Sequence, residues 1–328
     1  VASALYDNDI KKYPAGLYYG NLEREKKEQL HQMWRSGRVQ VIVATNAFGM
    51  GINSLDVRFV VHYTAPKTVE NYYQESGRAG RDGKPADCVL FYRTTDSSKL
   101  SGWGFDGQAI DGLIKAHAMI NYAECRHVCR KILLQLYLEA TADRTDALQA
   151  MLNSRGKPSH GIEPCSSCDV CVERRLPLAI DCTVPAITMV NIINAVSAKR
   201  VTRMQMIKYF RGHMLNKAPE VAALAGRNLV KFESVLANDV GFIANRLVSL
   251  GVLAETFEHS GYVTNAYLAI GSRYQHMAGR TVDRTQGLGP FVIDFSADAP
   301  PRGLPAVDGT IPTASGPAIA INDDSDED

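Results

Sequence analysis

Hydrophobic and polar positions along the first part of the chain predict alternating strands and helices. Val39 to Thr45 is a β-branched, largely apolar run, as expected of a buried parallel strand, and Val57 to Tyr63 has the same character. Between Leu22 and Trp34, apolar residues form one stripe on an otherwise charged helix. Short strands are also predicted near Leu17–Tyr19 and Val89–Tyr92. This alternation is typical of an α/β fold with a parallel sheet.

A different pattern follows, in which helical periodicity dominates. A helical stretch from Gly107 to Leu152 leads into a loop rich in Ser, Gly and Pro. Helices and strands are then predicted at Ile187–Val196, Arg203–Phe210, Phe232–Leu250, Val252–Phe257 and Tyr262–Ile270, with a turn at His259-Ser260-Gly261. Three helices followed by a two-stranded wing predict a winged-helix domain.

The end of the chain has no period. From about Ala297 it is rich in Pro, Ala, Gly and Asp, which predicts disorder. We therefore divide the chain into an α/β lobe, a helical cysteine-bearing module, a winged-helix domain and a disordered acidic tail, at residues 1–100, 101–183, 184–275 and 276–328.

Apart from its acidic end, the chain is mildly basic. The formal net charge of the 328 residues is +1, but five acids lie in the last six residues. Without them the balance is 36 minus 30, or +6, which is compatible with phosphate contacts. No run approaches the length of apolar sequence that a membrane span needs, and no signal peptide is visible, so we expect no membrane partner.

Three cysteines are clustered with metal-ligand spacing. Cys165, Cys168 and Cys171 form C-x2-C-x2-C, and tetrahedral zinc needs a fourth ligand. Seven cysteines without a secretory leader favour a metal over disulfides, although three free thiols packed locally are the alternative. The candidates for the fourth ligand are Cys125, Cys129, His160 and Cys182, and spacing alone does not choose among them.

Residues 73–83, Y-Q-E-S-G-R-A-G-R-D-G, contain a second chemical motif. Arg78 and Arg81 lie three positions apart, and each follows a glycine. Two planar guanidinium groups on one side of a turn suit a transferring phosphoryl group, because they stabilise the charge on its oxygens. The alternative is a solvated basic turn.

The sequences of three segments closely resemble those of the RecQ family of DNA helicases: A-T-x-A-F-G-M-G-I-N, V-R-F-V-V-H-Y and Y-Y-Q-E-S-G-R-A-G-R-D-G. The resemblance covers roughly Tyr18 to Gly271. It implies the second RecA-like lobe, a zinc module and a winged helix of a 3′-to-5′ ATP-dependent DNA helicase that acts in recombination, replication and repair. The segment Ala266–Gly271 is similar to eukaryotic members of the Bloom-syndrome type, which implies a nuclear protein.

The resemblance also assigns roles. Arg81 would be the arginine finger, Arg78 a second phosphate contact, and Gln74 a link between nucleotide state and lobe movement. The residues that would couple DNA contact to the ATP site are Thr45, Gly49, Gly51 and Asn53. For Thr45 the alternative is a strand-end residue that satisfies only its own backbone.

For the metal, the resemblance selects Cys129. RecQ proteins carry C-R-[RK] with an aromatic residue eight positions after the cysteine, and Cys129-Arg130-Lys131 with Tyr137 fits that register. Cys125 is then a core residue. The structural zinc would fasten the winged helix to the helicase lobe, although the gap from Cys129 to Cys165 is longer than the family leads us to expect.

The wing is expected to contact DNA, either single-stranded or at duplex junctions. Candidates for stacking on a terminal base pair are Phe257, His259 and Tyr262, although Phe257 and Tyr262 could instead face the core. Arg200, Arg203 and Lys208 could contact phosphates or could simply be solvated.

No G-x-x-x-x-G-K-[ST] motif is present, so binding of ATP and Mg²⁺ would require a first lobe that this sequence does not contain. We therefore expect the chain to be inactive as an ATPase by itself, and the start inside a predicted helix favours a fragment. The alternative is a non-enzymatic zinc and winged-helix DNA-binding module, or a degenerate helicase copy. An RNA helicase is disfavoured by the cysteine cluster and the winged helix. The sequence identifies no protein partner for the acidic tail.

Overall fold

The computed structural model describes residues 15–45, 54–105, 110–139, 148, 151, 163–225, 232–261, 263–275, 291–304 and 306–307. It divides into two compact units. The first unit comprises residues 1–62 and 71–90, and the second comprises residues 63–70 and 91–328. The predicted cysteine module and winged-helix domain thus fall within a single unit.

The first unit is built from parallel strand pairs, as the sequence predicts. Strand β1 (Ala15–Tyr18) pairs in parallel with β2 (Val41–Ala44), and helix α1 (Arg24–Arg35) lies between them in the chain. Strand β3 (Phe59–His62) pairs in parallel with β4 (Asp87–Leu90). Each strand is four residues long, so β2 and β3 are shorter than the apolar runs that predicted them, whereas β1 and β4 begin two residues earlier than predicted.

Helix α1 packs on β1 through a glycine. A Cβ atom on Gly16 would overlap Cδ1 of Leu30, which shows how closely this apolar side chain approaches the strand. Leu30 belongs to the apolar stripe that predicted the helix. Helix α2 (Val69–Ser76) then connects β3 to the loop that precedes β4.

The second unit contains most of the helices. They are α3 (Ser97–Gly104), α4 (Ile110–Glu124), α5 (Arg130–Glu139), α6 (Asp169–Val172), α7 (Thr183–Ala195), α8 (Arg203–Phe210), α9 (Pro219–Ala225) and α10 (Ala237–Ser249). Its strands are β5 (Pro177–Asp181), β6 (Leu253–Ser260), β7 (Val263–Ile270) and β8 (Val292–Ser296). Helix α8 has the predicted bounds, and it begins with a capping box between Thr202 and Gln205.

A continuous hydrophobic core fills the C-terminal half of the second unit. It takes buried side chains from α7, α8, α10 and the strands that follow them, among them Met189, Phe210 and Ile243. The rings of Phe210 and Phe232 stack with their centroids 4.6 Å apart. The apolar periodicity that predicted these helices therefore reports their buried faces.

Strands β6 and β7 form an antiparallel hairpin in which β6 extends beyond its predicted end and includes His259 and Ser260 of the predicted turn. Pairing runs without interruption from Leu253↔Ile270 to Ser260↔Val263. The connection is two residues long and begins at Gly261, whose φ of +59° is the left-handed conformation that tight hairpin turns require.

The prediction of disorder from residue 276 onward is wrong for residues 291–296. Strand β8 pairs antiparallel with β5, from Pro177↔Ser296 to Asp181↔Val292. Phe291, Ile293 and Phe295 are at most 8% exposed and belong to the core. These three apolar residues alternate with polar or smaller ones, so they supply one buried face of a strand, and that burial outweighs the disorder-prone composition around them.

Among the helices that the structure describes, none is long and apolar enough to cross a membrane.

Candidate functional site

The two arginines of the G-R-x-G-R motif lie on a tight loop directly after α2. The amides of Gly77 and Arg78 donate to the carbonyls of Tyr73 and Glu75, so the chain leaves the helix through a final turn. Arg81 is exposed, and its Nε donates to the carbonyl of Gly77 at 3.2 Å. Arg78 is half-buried. Both guanidinium groups are thus carried by one short loop that starts at the C-terminal end of a helix.

Arg58, which lies immediately before β3, anchors this loop. Its guanidinium donates to Asp82 Oδ1 at 2.6 Å and to the carbonyl of Pro85 at 2.9 Å. Its Nε also donates to the carbonyl of Asp56 at 3.0 Å. The hydrogen bond from Arg58 lowers the pKa of the Asp82 carboxyl, which therefore stays ionised as the anchor. Sequence analysis did not assign Arg58 this role, because its partners lie more than twenty positions away.

The glycines of the loop serve its backbone conformation. Gly80 has a φ of +66° and Gly83 a φ of +79°, both in the left-handed region. The amide of Gly80 donates to the carbonyl of Val57, and that of Asp82 donates to the carbonyl of Leu55. A Cβ atom on Gly80 would meet the carbonyl oxygen of Lys84 at 2.9 Å. The loop is therefore fixed by backbone bonds as well as by Arg58.

Two further residues of the predicted ATP-linked set are described. Gln74 is exposed on α2, one helical turn before Arg78. Thr45 is exposed just after β2, and its amide donates to the carbonyl of Tyr18 at 3.1 Å. The predicted sites Gly49, Gly51 and Asn53 lie outside the described residues.

Helix α2 is itself fixed to β3 by a buried polar contact. Nε2 of His62 lies 2.9 Å from Oε2 of Glu75, and His62 is 8% exposed. The His62 ring also contacts the ring of buried Tyr72, with centroids 5.1 Å apart. These contacts set the direction in which α2 ends, and so the position of the arginine loop.

The second candidate site is the four-cysteine cluster. One sulfur from each of Cys129, Cys165, Cys168 and Cys171 lies within 4.8 Å of the others. Cys129 immediately precedes α5, Cys168 immediately precedes α6, and Cys171 lies within α6. The structure thus brings together the four residues chosen from the sequence, and such a set of soft donors could bind a metal ion.

An arginine–aspartate pair ties together the two helix starts that flank the cluster. Arg130 donates from Nε and Nη2 to the two carboxylate oxygens of Asp169, both at 2.9 Å. Its Nη1 also donates to the carbonyl of Tyr122 at 2.5 Å. Burial opposes ionisation of Asp169, but the bonds from Arg130 hold the pKa of that carboxyl below its ordinary value. This support was not found from the sequence, although Arg130 belongs to the C-R-K motif.

Backbone amides also point at the sulfurs. The amide of Cys165 donates to Sγ of Cys129 and the amide of Cys168 to Sγ of Cys165, both at 3.3 Å. Burial would raise the pKa of Cys165, but hydrogen bonds from Ser167 and Cys168 lower it to about 6. Ionised thiolates are the form that binds metals, and among the neighbouring thiols burial instead raises the pKa of Cys168 and Cys171.

The other cysteines considered as ligands lie elsewhere. Cys182 is fully buried at the start of α7, and burial raises the pKa of its thiol. Burial likewise raises the pKa of Cys125. Among the described residues, neither belongs to the metal-capable group, and His160 lies outside the described residues.

The hairpin residues predicted to contact DNA have different surroundings. Phe257 stacks on Phe105, with ring centroids 4.3 Å apart and an interplanar angle of 14°. This geometry favours the packing alternative for Phe257 over stacking on a base. His259 is exposed near the turn, with Nδ1 2.8 Å from Oγ1 of Thr264. Tyr262 lies outside the described residues.

The prediction that Arg203 contacts phosphates is wrong, because its side chain is buried. It is 3% exposed, and Nη2 lies 2.6 Å from Oε1 of Glu255, whose side chain is also buried. Burial opposes ionisation of Glu255, but Arg203 and a 3.0 Å contact from His117 hold the pKa of that carboxyl below its ordinary value. Arg203 also donates to Ser97 Oγ, so it joins α8 to β6 and α3. Its partner Glu255 is distant in sequence, which explains why periodicity did not reveal the pair.

The remaining predicted cations are on the surface. Lys208 is exposed in the last turn of α8. Arg200 is exposed too, but it forms an ion pair with Glu258 on the hairpin and lies 6.0 Å from the ring centroid of Tyr267. Helix α10 has seven buried residues, so little of its surface is accessible to a DNA groove.

Comparison with known proteins identifies related helicases. Residues 2–83 match the family described as helicase conserved C-terminal domain. ATP-dependent DNA helicase Q-like 2 of Arabidopsis thaliana is 32% identical over 78% of this chain and 32% of its own length. A putative ATP-dependent DNA helicase Q1 of Caenorhabditis elegans is 34% identical over 85% of this chain and 40% of its own length. By homology, the chain belongs to the RecQ helicase family.

A third relative of the RecQ chain is the ATP-dependent DNA helicase hus2/rqh1 of Schizosaccharomyces pombe, 33% identical over 77% of this chain and 18% of its own length. The chain thus spans between 18% and 40% of the length of these relatives. Residues 2–83 are therefore assigned to a helicase C-terminal domain. The names of the three relatives do not select the Bloom-syndrome type, which stays a prediction.

Proposed function

We propose that the RecQ chain is the C-terminal part of a nuclear 3′-to-5′ ATP-dependent DNA helicase that acts in recombination, replication and repair. The observation that carries this proposal is the anchored loop with Arg78 and Arg81. A binding module that hydrolyses nothing has no need of two arginines on a loop fixed by Arg58 and by two backbone hydrogen bonds.

In this proposal Arg81 is the arginine finger. Catalysis of phosphoryl transfer depends on positioning and on charge stabilisation, so the finger must be held ready before the nucleotide arrives. The contacts of Arg58 and the bond from Arg81 to Gly77 supply that preorganisation. Arg78 would contact a second phosphate oxygen, and Gln74 would respond to nucleotide state. ATP and Mg²⁺ would be bound chiefly by a P-loop lobe, which the sequence does not contain.

The cysteine cluster would hold a structural zinc ion. Zinc–sulfur bonds of about 2.3 Å at tetrahedral angles place the sulfurs ~3.8 Å apart. The sulfurs of Cys168 and Cys129 lie 4.0 Å apart, and all four lie within 4.8 Å, so the donor set fits. Four thiolate ligands leave no open position, so the ion would supply folding free energy and no catalysis.

The C-terminal half would be a winged-helix DNA-binding domain. Helices α7, α8 and α10 would be its three helices, and the hairpin β6–β7 its wing. Because α10 is largely buried, DNA contact would fall to the hairpin and to exposed cations such as Lys208. The expected DNA is single-stranded or at a duplex junction.

The test joins this chain to the P-loop lobe of the Caenorhabditis elegans relative and measures DNA-stimulated ATP hydrolysis and strand separation. The chain alone should hydrolyse no ATP. The joined protein should hydrolyse ATP and separate duplexes that carry a 3′ overhang but not a 5′ overhang. Arg81→Ala should lower kcat by about 10³-fold or more. Arg81→Lys should not restore the rate, because an ammonium group lacks the planar fork.

Arg38→Ala serves as the matched control, since Arg38 is an exposed arginine of the same unit. It should leave turnover unchanged. Full turnover by the Arg81→Ala protein would exclude the finger role. A joined protein that binds DNA but never hydrolyses ATP would favour the non-enzymatic DNA-binding module instead.

A further inference from the structure

We propose that Lys99 and Trp103 on α3 form a binding surface for single-stranded DNA beside the hairpin. The inference rests on the proposed function and adds a site to it. Both residues are exposed, and Trp103 is 40% exposed. The Nζ atom of Lys99 lies 4.7 Å from the centroid of the Trp103 ring. A cation and a large aromatic surface are therefore presented together.

The rest of α3 cannot serve this purpose, because it faces the interior. Its buried residues are Ser97, Leu100, Ser101, Gly102 and Gly104. Lys99 and Trp103 are four positions apart and so share one face of the helix. Only this face combines charge and aromatic area at the surface.

Helix α3 lies directly along the hairpin. A Cβ atom on Gly102 would meet the carbonyl oxygen of Thr264 at 2.9 Å, so helix and strand are in close contact there. Thr264 pairs with His259, only one pair before the end of the hairpin. The stack of Phe105 on Phe257 fixes the end of α3 to the other strand. The Lys99–Trp103 face therefore adjoins the part of the hairpin proposed to meet DNA.

The chemistry of this face fits single-stranded nucleic acid. A base without a partner can stack on an aromatic ring regardless of its identity, whereas a base inside a duplex is already stacked. A nearby lysine can contact the phosphate of the same nucleotide. Within the part of the chain that the structure describes, no carboxylate pairs with Lys99, so its charge is available to a phosphate.

The chain offers an internal reporter, because it contains two tryptophans, Trp34 and Trp103. In a Trp34→Phe protein, all tryptophan emission comes from Trp103. Titration with oligothymidylate should quench that emission. Trp103→Ala should weaken oligothymidylate binding by about 5- to 100-fold, as measured by anisotropy of a labelled oligonucleotide, and Trp103→Phe should retain most of the affinity. Lys99→Ala should make the slope of log K against the logarithm of the salt concentration shallower by about 0.7, as expected for the loss of one phosphate contact.

Lys217→Ala is the matched control for charge, because Lys217 is an exposed lysine of the same unit, away from α3. It should leave unchanged both the affinity for oligothymidylate and the quenching of Trp103 emission. Thermal unfolding of each variant checks that the fold persists. If the Trp34→Phe protein binds oligothymidylate without a change in emission, and Trp103→Ala binds as tightly as the parent, the inference is overturned while the proposed function stands. If the parent chain binds no DNA at all, the DNA contact in the proposed function falls as well.

Discussion

Glu124 is a buried carboxyl that two hydrogen-bond donors hold by the same oxygen. It is 8% exposed, and its Oε1 accepts from the Tyr92 hydroxyl at 2.8 Å and from Nδ2 of Asn245 at 2.6 Å. Burial raises the pKa of Glu124 to about 7, although these bonds and the charges of Arg203 and Arg126 act in the opposite direction. The protein therefore keeps a carboxyl that is partly protonated near neutral pH.

This carboxyl should make stability depend on pH. An unfolded glutamate titrates near pH ~4.3, so between about pH 4.3 and pH 7 the folded state holds a proton that the unfolded state has lost. The free energy of unfolding should fall as pH rises across this window. Glu124→Gln should abolish that slope and stabilise the protein by about 2–3 kcal/mol at pH ~8, because the amide oxygen can still accept both bonds. Urea unfolding across the pH range measures this.

The control is Glu233→Gln, since Glu233 is exposed. It should leave the slope as it is in the parent protein. If Glu124→Gln leaves the slope unchanged, the pKa of Glu124 in the folded state is not raised above its ordinary value.

The roles of some side chains could be predicted from the sequence, and those of others could not. The arginine pair and the four cysteines could be chosen from spacing and resemblance, because their chemistry is local to short motifs. Arg203 could not be placed, since its burial depends on Glu255, 52 positions away. Nor could Arg58 be identified as the anchor of the loop, because its contacts depend on how β3 and β4 pair.

Helices α5 and α6 meet at the cysteine cluster, and the Arg130–Asp169 pair aligns their first residues. We expect about one zinc ion per chain by elemental analysis. Arg130→Ala should weaken zinc retention against a chelator by about 10- to 100-fold, because the supporting contacts around the ligands would be lost. Arg130→Lys should not restore it, since a lysine cannot make both bonds to Asp169.

Lys131→Ala is the matched control on the same helix, at an exposed position. It should hold zinc as tightly as the parent. Equal retention in Arg130→Ala would mean that the cysteines and their backbone bonds are sufficient by themselves.

Among secondary-structure elements, those with a strong apolar period were predicted, whereas several shorter ones were missed, among them both strands of the β5–β8 pair. Helix α8 was predicted with its observed bounds, because its buried face repeats over two turns and its start has a capping box. Strand β8 was missed although Phe291, Ile293 and Phe295 alternate, since proline and aspartate follow closely. Its partner β5 lies far back in the chain, and only that pairing decides whether the segment folds.

Because β8 completes the second unit, the C-terminal segment should be essential to that unit. A chain that ends at residue 290 loses Phe291, Ile293 and Phe295, and burying each such side chain contributes about 1.5–3 kcal/mol. The total is a large part of the ~5–15 kcal/mol stability of a typical domain. The truncated protein should show a broad or missing unfolding transition for this unit, measured by calorimetry and by amide hydrogen exchange in α7 and α10.

A chain that ends at residue 308 is the control, because it keeps β8 and removes the acidic end. Its unfolding should match that of the full chain. Cooperative unfolding of the second unit in the shorter chain would show that β8 is dispensable for the core.

The β5–β8 pairing also has a consequence during synthesis. Pro177 cannot pair with Ser296 until the ribosome has synthesised Ser296, 119 positions later. At about 5–20 residues per second, a ribosome needs roughly 6–24 s to make that stretch. During that time the apolar faces of α7 and α10 lack part of their cover, and closing so long a loop adds an entropic delay. The nascent protein should therefore be a client for chaperones until the last part of its chain emerges.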